Sequence, residues 1–294
     1  MAEPVIAIIF DFDNTLGPDT ISFLLREYDI RPDDFWAEID RDVRNGYDPP
    51  QAYMKRILRY VQEEGVMRDL TKERLRELGS KLPLYPGLPG AFIEARKSIS
   101  SSRVTDLRNA GVGLEFYIIS GGLEEMIRGT TLAEHMDGIF GCNFDYDLCT
   151  HFPVAIKSTI SFTEKTRYVF AINKGLSEEA ARTEPYRVND GIPDEDRRIP
   201  LKNMIYVGDG PSDIPCFSLI RKNGGLGIGV SPATETFRKG YELAEGERTT
   251  VGPYTADYRK GTDMRKMLQQ AVLEKGLEIV IERKRRVVSA PRHS

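Results

Sequence analysis

Val5 to Phe10 is an unbroken apolar run, rich in β-branched side chains, that stops at Asp11. A run with no polar face suits a strand covered on both sides, as in a parallel sheet. Shorter runs of the same kind occur at Phe116–Ile119 and Met204–Val207, and a weaker one at Leu226–Val230. The first three lead directly into small or polar residues: Asp11-Phe12-Asp13, Ser120-Gly121-Gly122 and Gly208-Asp209-Gly210. Between them, helical periodicity covers 122–135, 163–174 and 212–222. Strands alternating with helices predict an α/β protein with a doubly wound, Rossmann-like parallel sheet, and such sheets bind ligands beyond the carboxyl ends of their strands.

The alternation breaks between Gly17 and Pro83, where helical faces follow one another without a strand. Ile21, Leu24, Leu25 and Tyr28 share one face. Tyr53, Met54, Ile57, Leu58 and Val61 share a second, and Leu75, Leu78 and Leu82 a third. With a further helix near 33–45, and Asp19 and Thr71 as N-caps, this predicts an inserted helical subdomain over 17–83. The α/β core is then 1–16 plus 84–294, including a C-terminal extension. Residues 176–200, dense in Glu, Asp, Arg and Pro, read as a surface excursion. Met264, Met267, Leu268, Ala271 and Val272 predict a last helix, and Glu282–Arg286 a solvated charged tail.

Composition narrows the class. The 294 residues are 40% apolar, 29% charged and 9% aromatic, which supports a large core and excludes wholesale disorder. A net charge of −4 argues against nucleic acid as the main partner. No apolar run reaches a membrane-spanning length and Met-Ala-Glu-Pro has no signal-peptide character, so no membrane partner and a cytoplasmic location are expected. Cys142, Cys149 and Cys216 form no Cys-x-x-Cys pair and read as reduced, mostly structural thiols. His135, His151 and His293 form no zinc signature.

The chemistry concentrates in Asp11-Phe12-Asp13-Asn14-Thr15-Leu16. Residues i and i+2 of an extended chain face one way, so Asp11 and Asp13 can share a site, and paired carboxylates there call for a hard cation. An Asx turn would use the same residue types. A second carboxylate pair, Asp209 and Asp213, follows another strand and weakens that alternative. Ser120-Gly121-Gly122 offers a hydroxyl and open backbone N–H groups suited to phosphate oxygens, though a serine between glycines also suits a plain turn. Gly225–Gly229 superficially matches a dinucleotide loop but reads better as a strand. Ser120 lacks a nucleophile elbow. Trp36 and the aromatic residues around it fit a core better than a ligand cage.

These motifs together resemble the haloacid dehalogenase superfamily, in particular phosphatases with a helical cap after the first strand, such as the phosphoserine phosphatase group. The resemblance covers 1–16 and roughly 84–230. It implies Asp11 as nucleophile, Asp13 as general acid/base and Thr15 as a supporting residue. It also implies Ser120 with Gly121 at the phosphate, Asp209 at the metal beside Asp11 and Asp13, and Asp213 as a supporting carboxylate. The implied cofactor is Mg²⁺. A lysine completes the set, and Lys157, Lys165 and Lys174 lie in the right interval. Lys165, at the start of a helical pattern behind a possible cap at Thr163, is the expected one, acting on both phosphate and reaction; Lys174-Gly175 reads as a helix C-terminus.

The expected function is Mg²⁺-dependent hydrolysis of a small phosphomonoester through an aspartyl-phosphate, with the inserted helices as a lid. The alternatives are a dehalogenase, which would not need Asp13 as a proton donor, and a non-catalytic phosphate-binding signalling protein, which would not need the insertion.

Overall fold

A computed structural model describes residues 4–100, 109–232 and 251–289. The first apolar run forms β1 (Val5–Phe10), buried along its whole length. It pairs in parallel with β2 (Gly113–Leu123) on one side. On its other side it pairs, also in parallel, with the fifth strand in the chain, β5 (Met204–Gly208). Beyond β2 come β3 (Gly138–Tyr146), parallel, and then β4 (Pro153–Ser158), antiparallel at the edge. Beyond β5 come β6 (Leu226–Ser231) and β7 (Val251–Thr255), both parallel. The sheet order is therefore β4-β3-β2-β1-β5-β6-β7. Its direction of winding reverses beside β1, which opens a crevice at the carboxyl ends of β1 and β5. This is the expected α/β Rossmann-like arrangement.

Three of these strands were not expected from the sequence. β3 and β4 form an antiparallel pair whose apolar pattern is interrupted by Gly141, Asn143 and Asp145 in β3 and by Lys157 in β4. β7 contains Gly252-Pro253, which a strand tolerates at a sheet edge. The second apolar run also extends further than expected. Ser120, Gly121 and Gly122 lie in the last part of β2 and not in a loop after it, with an irregular register against β3 between Ile119 and Leu123.

Four helices follow β1 without an intervening strand: α1 (Thr20–Glu27), α2 (Pro32–Arg44), α3 (Pro49–Gln62) and α4 (Lys72–Lys81). Asp19 caps α1 by accepting from Ser22 N at 2.5 Å, and Thr71 caps α4 by accepting from Arg74 N at 3.1 Å, as the sequence predicts. Their apolar faces are buried, each large side chain stabilising the fold by about 1.5–3 kcal/mol relative to exposure. α5 (Gly90–Ser100) then packs under the sheet, where Phe92 lies 5.1 Å from Phe10 and 4.8 Å from Phe116, centroid to centroid.

α6 (Glu124–Gly129) is much shorter than the predicted 122–135 helix, and a 3₁₀ turn covers Ala133–His135. α4 lies directly on α6. A Cβ at Gly79 would sit 2.0 Å from the Met126 carbonyl oxygen, and one at Gly129 2.0 Å from that of Arg76. The buried Glu125 carboxylate holds Arg76 at 2.6 Å across the same contact.

The two segments expected to be peripheral are both anchored. After α7 (Phe162–Lys174), α8 (Glu178–Thr183) buries Ala181, and Ile199 beyond it is fully buried. Glu178 accepts from Ile139 N at 3.0 Å and pairs with Arg128. Between these anchors the segment is the surface excursion the sequence suggests: Glu184, Arg187, Asp190, Asp194, Glu195 and Asp196 are exposed, and Arg187 and Arg197 pair with neighbours three residues away. α9 (Ile214–Lys222) follows β5 as predicted. α10 (Asp263–Ser289) runs straight through the expected tail: Glu282 pairs with Lys202 at 2.6 Å and Arg283 donates to the Ala110 carbonyl at 2.8 Å. The tail reading is thus corrected in part: the run is the last part of a helix, with Glu282 and Arg283 half-buried and Lys284 and Arg285 exposed as expected. His293 and the first three residues lie outside the described residues.

Candidate active site

Asp11 leaves the end of β1, its N–H donating to the Val207 carbonyl of β5 at 2.9 Å. One carboxylate oxygen accepts from Phe12 N at 2.7 Å, and the other lies 2.8 Å from the ammonium of Lys165. Lys165 sits in the first turn of α7, so its side chain reaches back over the strand ends. α7 starts one residue before the expected cap: Ser161 precedes it and Thr163 lies within the first turn, which corrects the cap without changing where Lys165 points. The ammonium is 2.7 Å from Asp213 and 3.4 Å from the Ser212 hydroxyl, and Lys165 is 1% exposed. Burial alone would push its pKa down, but the carboxylates of Asp11 and Asp213 outweigh that and raise it. Lys157 is exposed on β4. Lys174, at the far end of α7, donates to the carbonyls of Val188 and Asp190, and Gly175 ends the helix in the left-handed conformation.

Asp213 is fully buried in the 3₁₀ turn Pro211–Asp213. It accepts from the Tyr206 hydroxyl at 2.7 Å and from Gly210 N at 3.2 Å. A Cβ at Gly208 would lie 2.4 Å from one of its oxygens, so glycine is required there.

Carboxylate oxygens of Asp11, Asp209 and Asp213 lie within 4.8 Å of one another. Lys165 balances only one of these three charges, and among the described residues no cationic side chain reaches Asp209 within 4.0 Å. Burial, reinforced by Asp11 and Asp213, pushes the Asp209 carboxyl well up. Burial likewise raises Asp11, against the opposing effect of Lys165. Two buried carboxylates and a half-buried one, with uncompensated negative charge, are what a hard divalent cation fits.

The Asp13 carboxylate is not part of that cluster. It accepts from Thr20 N at 2.9 Å and faces the Thr20 hydroxyl at 3.5 Å. That hydroxyl accepts from Leu123 N at 3.1 Å, which ties α1 to the end of β2. Gly122 leaves the room: a Cβ there would lie 2.6 Å from Thr20 Oγ1 and 2.7 Å from Asp13 Oδ2. The Asp13 carboxyl is raised well above its ordinary value by burial first, then by Asp19 and Asp11.

Ser120 is fully buried; its hydroxyl accepts from Gly122 N at 3.1 Å and acts on the Asp11 carboxylate. The expected row of open N–H groups is therefore partly engaged, with Gly122 N on Ser120 and Leu123 N on Thr20. Gly121 lines the cavity beside Lys165. Thr15 is buried, its hydroxyl without a partner among the described residues, and its carbonyl accepts from the Tyr258 hydroxyl at 2.8 Å.

Above these groups is a cavity of about 180 Å³, lined by Asp13 and Lys165 from below and by Asp19, Trp36 and Tyr53 from the inserted helices. The Tyr53 hydroxyl bonds to the Gly121 carbonyl and lies 3.3 Å from the Cys142 sulfur. Burial pushes the Cys142 thiol up to about 11 and that of Cys216 to about 12, so both are neutral packing groups. Sequence reasoning missed Thr20, Tyr53, Tyr206 and Tyr258. Trp36, expected as core, is half-buried and lines the cavity.

Residues 8–218 match the family model of haloacid dehalogenase-like hydrolases, and the chain belongs to that family. It is 32% identical over 239 residues to an uncharacterized protein of Borreliella burgdorferi, covering 74% of this chain and 79% of that one. Among solved structures, a substrate-bound phosphoserine phosphatase complex aligns over 92% of this chain and 99% of its own, at 18% identity and a TM-score of 0.50. A HAD family hydrolase of Salmonella enterica serovar Typhi aligns over 80% of this chain and 66% of its own, at 19% identity and a TM-score of 0.51. These structural likenesses concern the fold. No helix among the described residues is long and apolar enough to cross a membrane.

Proposed function

We propose that the chain hydrolyses a small phosphomonoester through an aspartyl-phosphate on Asp11, with Mg²⁺ as cofactor. The observation that carries this reading is the division of labour among the carboxylates. Asp11 is held by Lys165, 2.8 Å away, while Asp13 is held by Thr20, outside the acidic cluster. Asp11 and Asp209, with the Asp13 backbone carbonyl, would hold the ion. Mg²⁺ there would supply positive charge to the phosphoryl oxygens.

Lys165 opposes the effect of burial on Asp11, favouring its ionised form and orienting it for in-line attack on phosphorus, and its own charge lies where the transferred group's oxygens arrive. Ser120 and the Gly121 region face those oxygens. Burial and the neighbouring carboxylates favour the protonated form of Asp13, so it can give its proton to the departing alkoxide. The same carboxylate then takes a proton from the water that opens the phosphoenzyme. A halide leaves without a proton, so a carboxyl tuned in this way favours an alcohol leaving group over dehalogenation. The phosphoserine phosphatase structures share the fold and lend this reading support at the level of reaction type.

The residues at 17–83 act as the lid, and 1–16 with 84–294 as the catalytic core. The small cavity beneath α1 to α3 suits metabolites and not folded phosphoproteins. The test is turnover of an aryl phosphate with Mg²⁺, its loss on chelation, and acid-quenched trapping of a phosphoenzyme in the wild type but not in Asp11→Asn. Full turnover in metal-free protein, or a phosphoenzyme in the variant, would overturn the reading.

A further inference from the structure

The cavity wall carries information about the leaving group that the catalytic carboxylates do not. Beyond Asp13, the carboxyl group facing the cavity from the inserted helices is Asp19, whose proton affinity burial raises and a cationic partner would lower. One of its oxygens caps α1 through Ser22 N at 2.5 Å, and the Ser22 side chain also acts on the carboxylate. Aromatic and aliphatic groups make up the wall around it: Trp36, Tyr53, Ile21 and Pro49. Trp36 is held in place by its indole N–H, which donates to the Ser22 hydroxyl at 3.0 Å, and by an edge contact to Tyr53 at 5.9 Å.

Among the described residues, the one cation lining the cavity is Lys165, and its ammonium is engaged at 2.8 Å and 2.7 Å by Asp11 and Asp213. Arg26 influences Asp19 but does not line the cavity. A leaving group bearing a carboxylate or a second phosphate would face Asp19 with no free cation to receive it. An ammonium group would meet a carboxylate and aromatic rings, the surroundings that bind alkylammonium ions.

We propose that the substrate is the phosphate ester of a small amino alcohol, its ammonium seated against Asp19 and Trp36, with these two side chains setting specificity. The proposal rests on the phosphomonoesterase reading and deepens it. The volume, about 180 Å³, is well below the ~300–1,000 Å³ of sites for drug-sized ligands and suits a two- or three-carbon alcohol.

The test compares kcat/KM for 2-aminoethyl phosphate and its N-trimethyl derivative with that for 3,3-dimethylbutyl phosphate, the uncharged isostere of the latter. O-phosphoserine and an aryl phosphate complete the set. Both ammonium esters are expected to exceed the neutral isostere by about 10- to 100-fold, and 2-aminoethyl phosphate to exceed O-phosphoserine by a similar factor. Asp19→Asn keeps an N-capping side chain and should collapse the ammonium-to-neutral ratio towards one. Trp36→Leu should reduce that ratio about 3- to 30-fold.

Trp36 is the single tryptophan of the chain, so binding is readable without turnover. In Asp11→Asn, the N-trimethyl ester should shift tryptophan fluorescence at lower concentration than the neutral isostere. Equal kcat/KM for charged and neutral esters, with the aryl phosphate turned over, would overturn the amino-alcohol proposal and leave the phosphatase intact. Failure of every ester, aryl phosphate included, would overturn both.

Discussion

Replacing Asp209 by Asn should stabilise the metal-free protein while removing Mg²⁺-dependent activity. Its oxygen lies within 4.8 Å of oxygens of both Asp11 and Asp213. At an effective dielectric constant near 20, each of these repulsions is at least about 3.5 kcal/mol, some 7 kcal/mol together. Among the described residues no ammonium or guanidinium approaches Asp209 within 4.0 Å, so attraction to Lys165 offsets less than about 4 kcal/mol. The ionised side chain therefore sits at a net cost of about 3 kcal/mol, part of which the protein sheds by protonation.

The pH dependence follows in sign. Burial, with Asp11 and Asp213, raises the folded pKa of Asp209, so the folded state holds its proton more tightly than the unfolded state does. The corresponding stability is complete below the unfolded value of about 3.9 and is lost as pH rises through the raised folded value. The metal-free wild type should thus melt at a lower temperature at pH 8 than at pH 5.5. Asp209→Asn should flatten this dependence and gain about 1–3 kcal/mol at pH 8, a rise of about 2–6 °C in Tm. Saturating Mg²⁺ should raise the wild-type Tm at pH 8 and leave the variant nearly unchanged. A metal-free Asp209→Asn protein that melts no higher than wild type at pH 8, or that responds equally to Mg²⁺, would refute the reasoning.

Asp13→Asn should lower kcat about 10²–10⁴-fold with folding intact, and the loss should be smaller for an aryl ester whose leaving group needs little protonation; steady-state kinetics on aryl and alkyl esters checks this. Lys165→Ala removes the partner of two buried carboxylates and should cost about 3–5 kcal/mol in chemical denaturation at pH 7, together with activity. Lys157→Ala, at an exposed position on β4, should do neither. Gly79→Ala places a methyl 2.0 Å from the Met126 carbonyl oxygen and should destabilise by about 1–3 kcal/mol or more, read by thermal melting, whereas Gly46→Ala, with no atom within 4 Å of its Cβ, carries only the penalty of its positive φ.

What the sequence determines by itself is local. An apolar run that ends at an aspartate is a buried strand with a carboxylate at its tip, whatever surrounds it, and β1 and β5 follow directly from that pattern. The caps at Asp19 and Thr71, the glycine end of α7 and the helices after β1 are short-range as well, because a cap or a helical face is decided within one or two turns. Gly122 and Gly208 are visible in the sequence only as small residues. Their reason appears when Thr20 and Asp213 are brought against them.

The tertiary structure decides the rest, since it depends on pairs far apart in the chain. Lys165 was one of three lysines until α7 set it between Asp11 and Asp213. Trp36 packs against the core, as its pattern suggests, and also lines a cavity because α3 brings Tyr53 to the end of β2 beside it. β3, β4 and β7 have apolar patterns too interrupted to announce strands, and they become strands by completing hydrogen bonds offered by neighbours already in the sheet. The charged stretches at 176–200 and at the end of α10 are largely solvated, as they read, but a sequence does not show which of their charges meet a distant partner. Their partners, Arg128 for Glu178 and Lys202 for Glu282, are supplied by the fold.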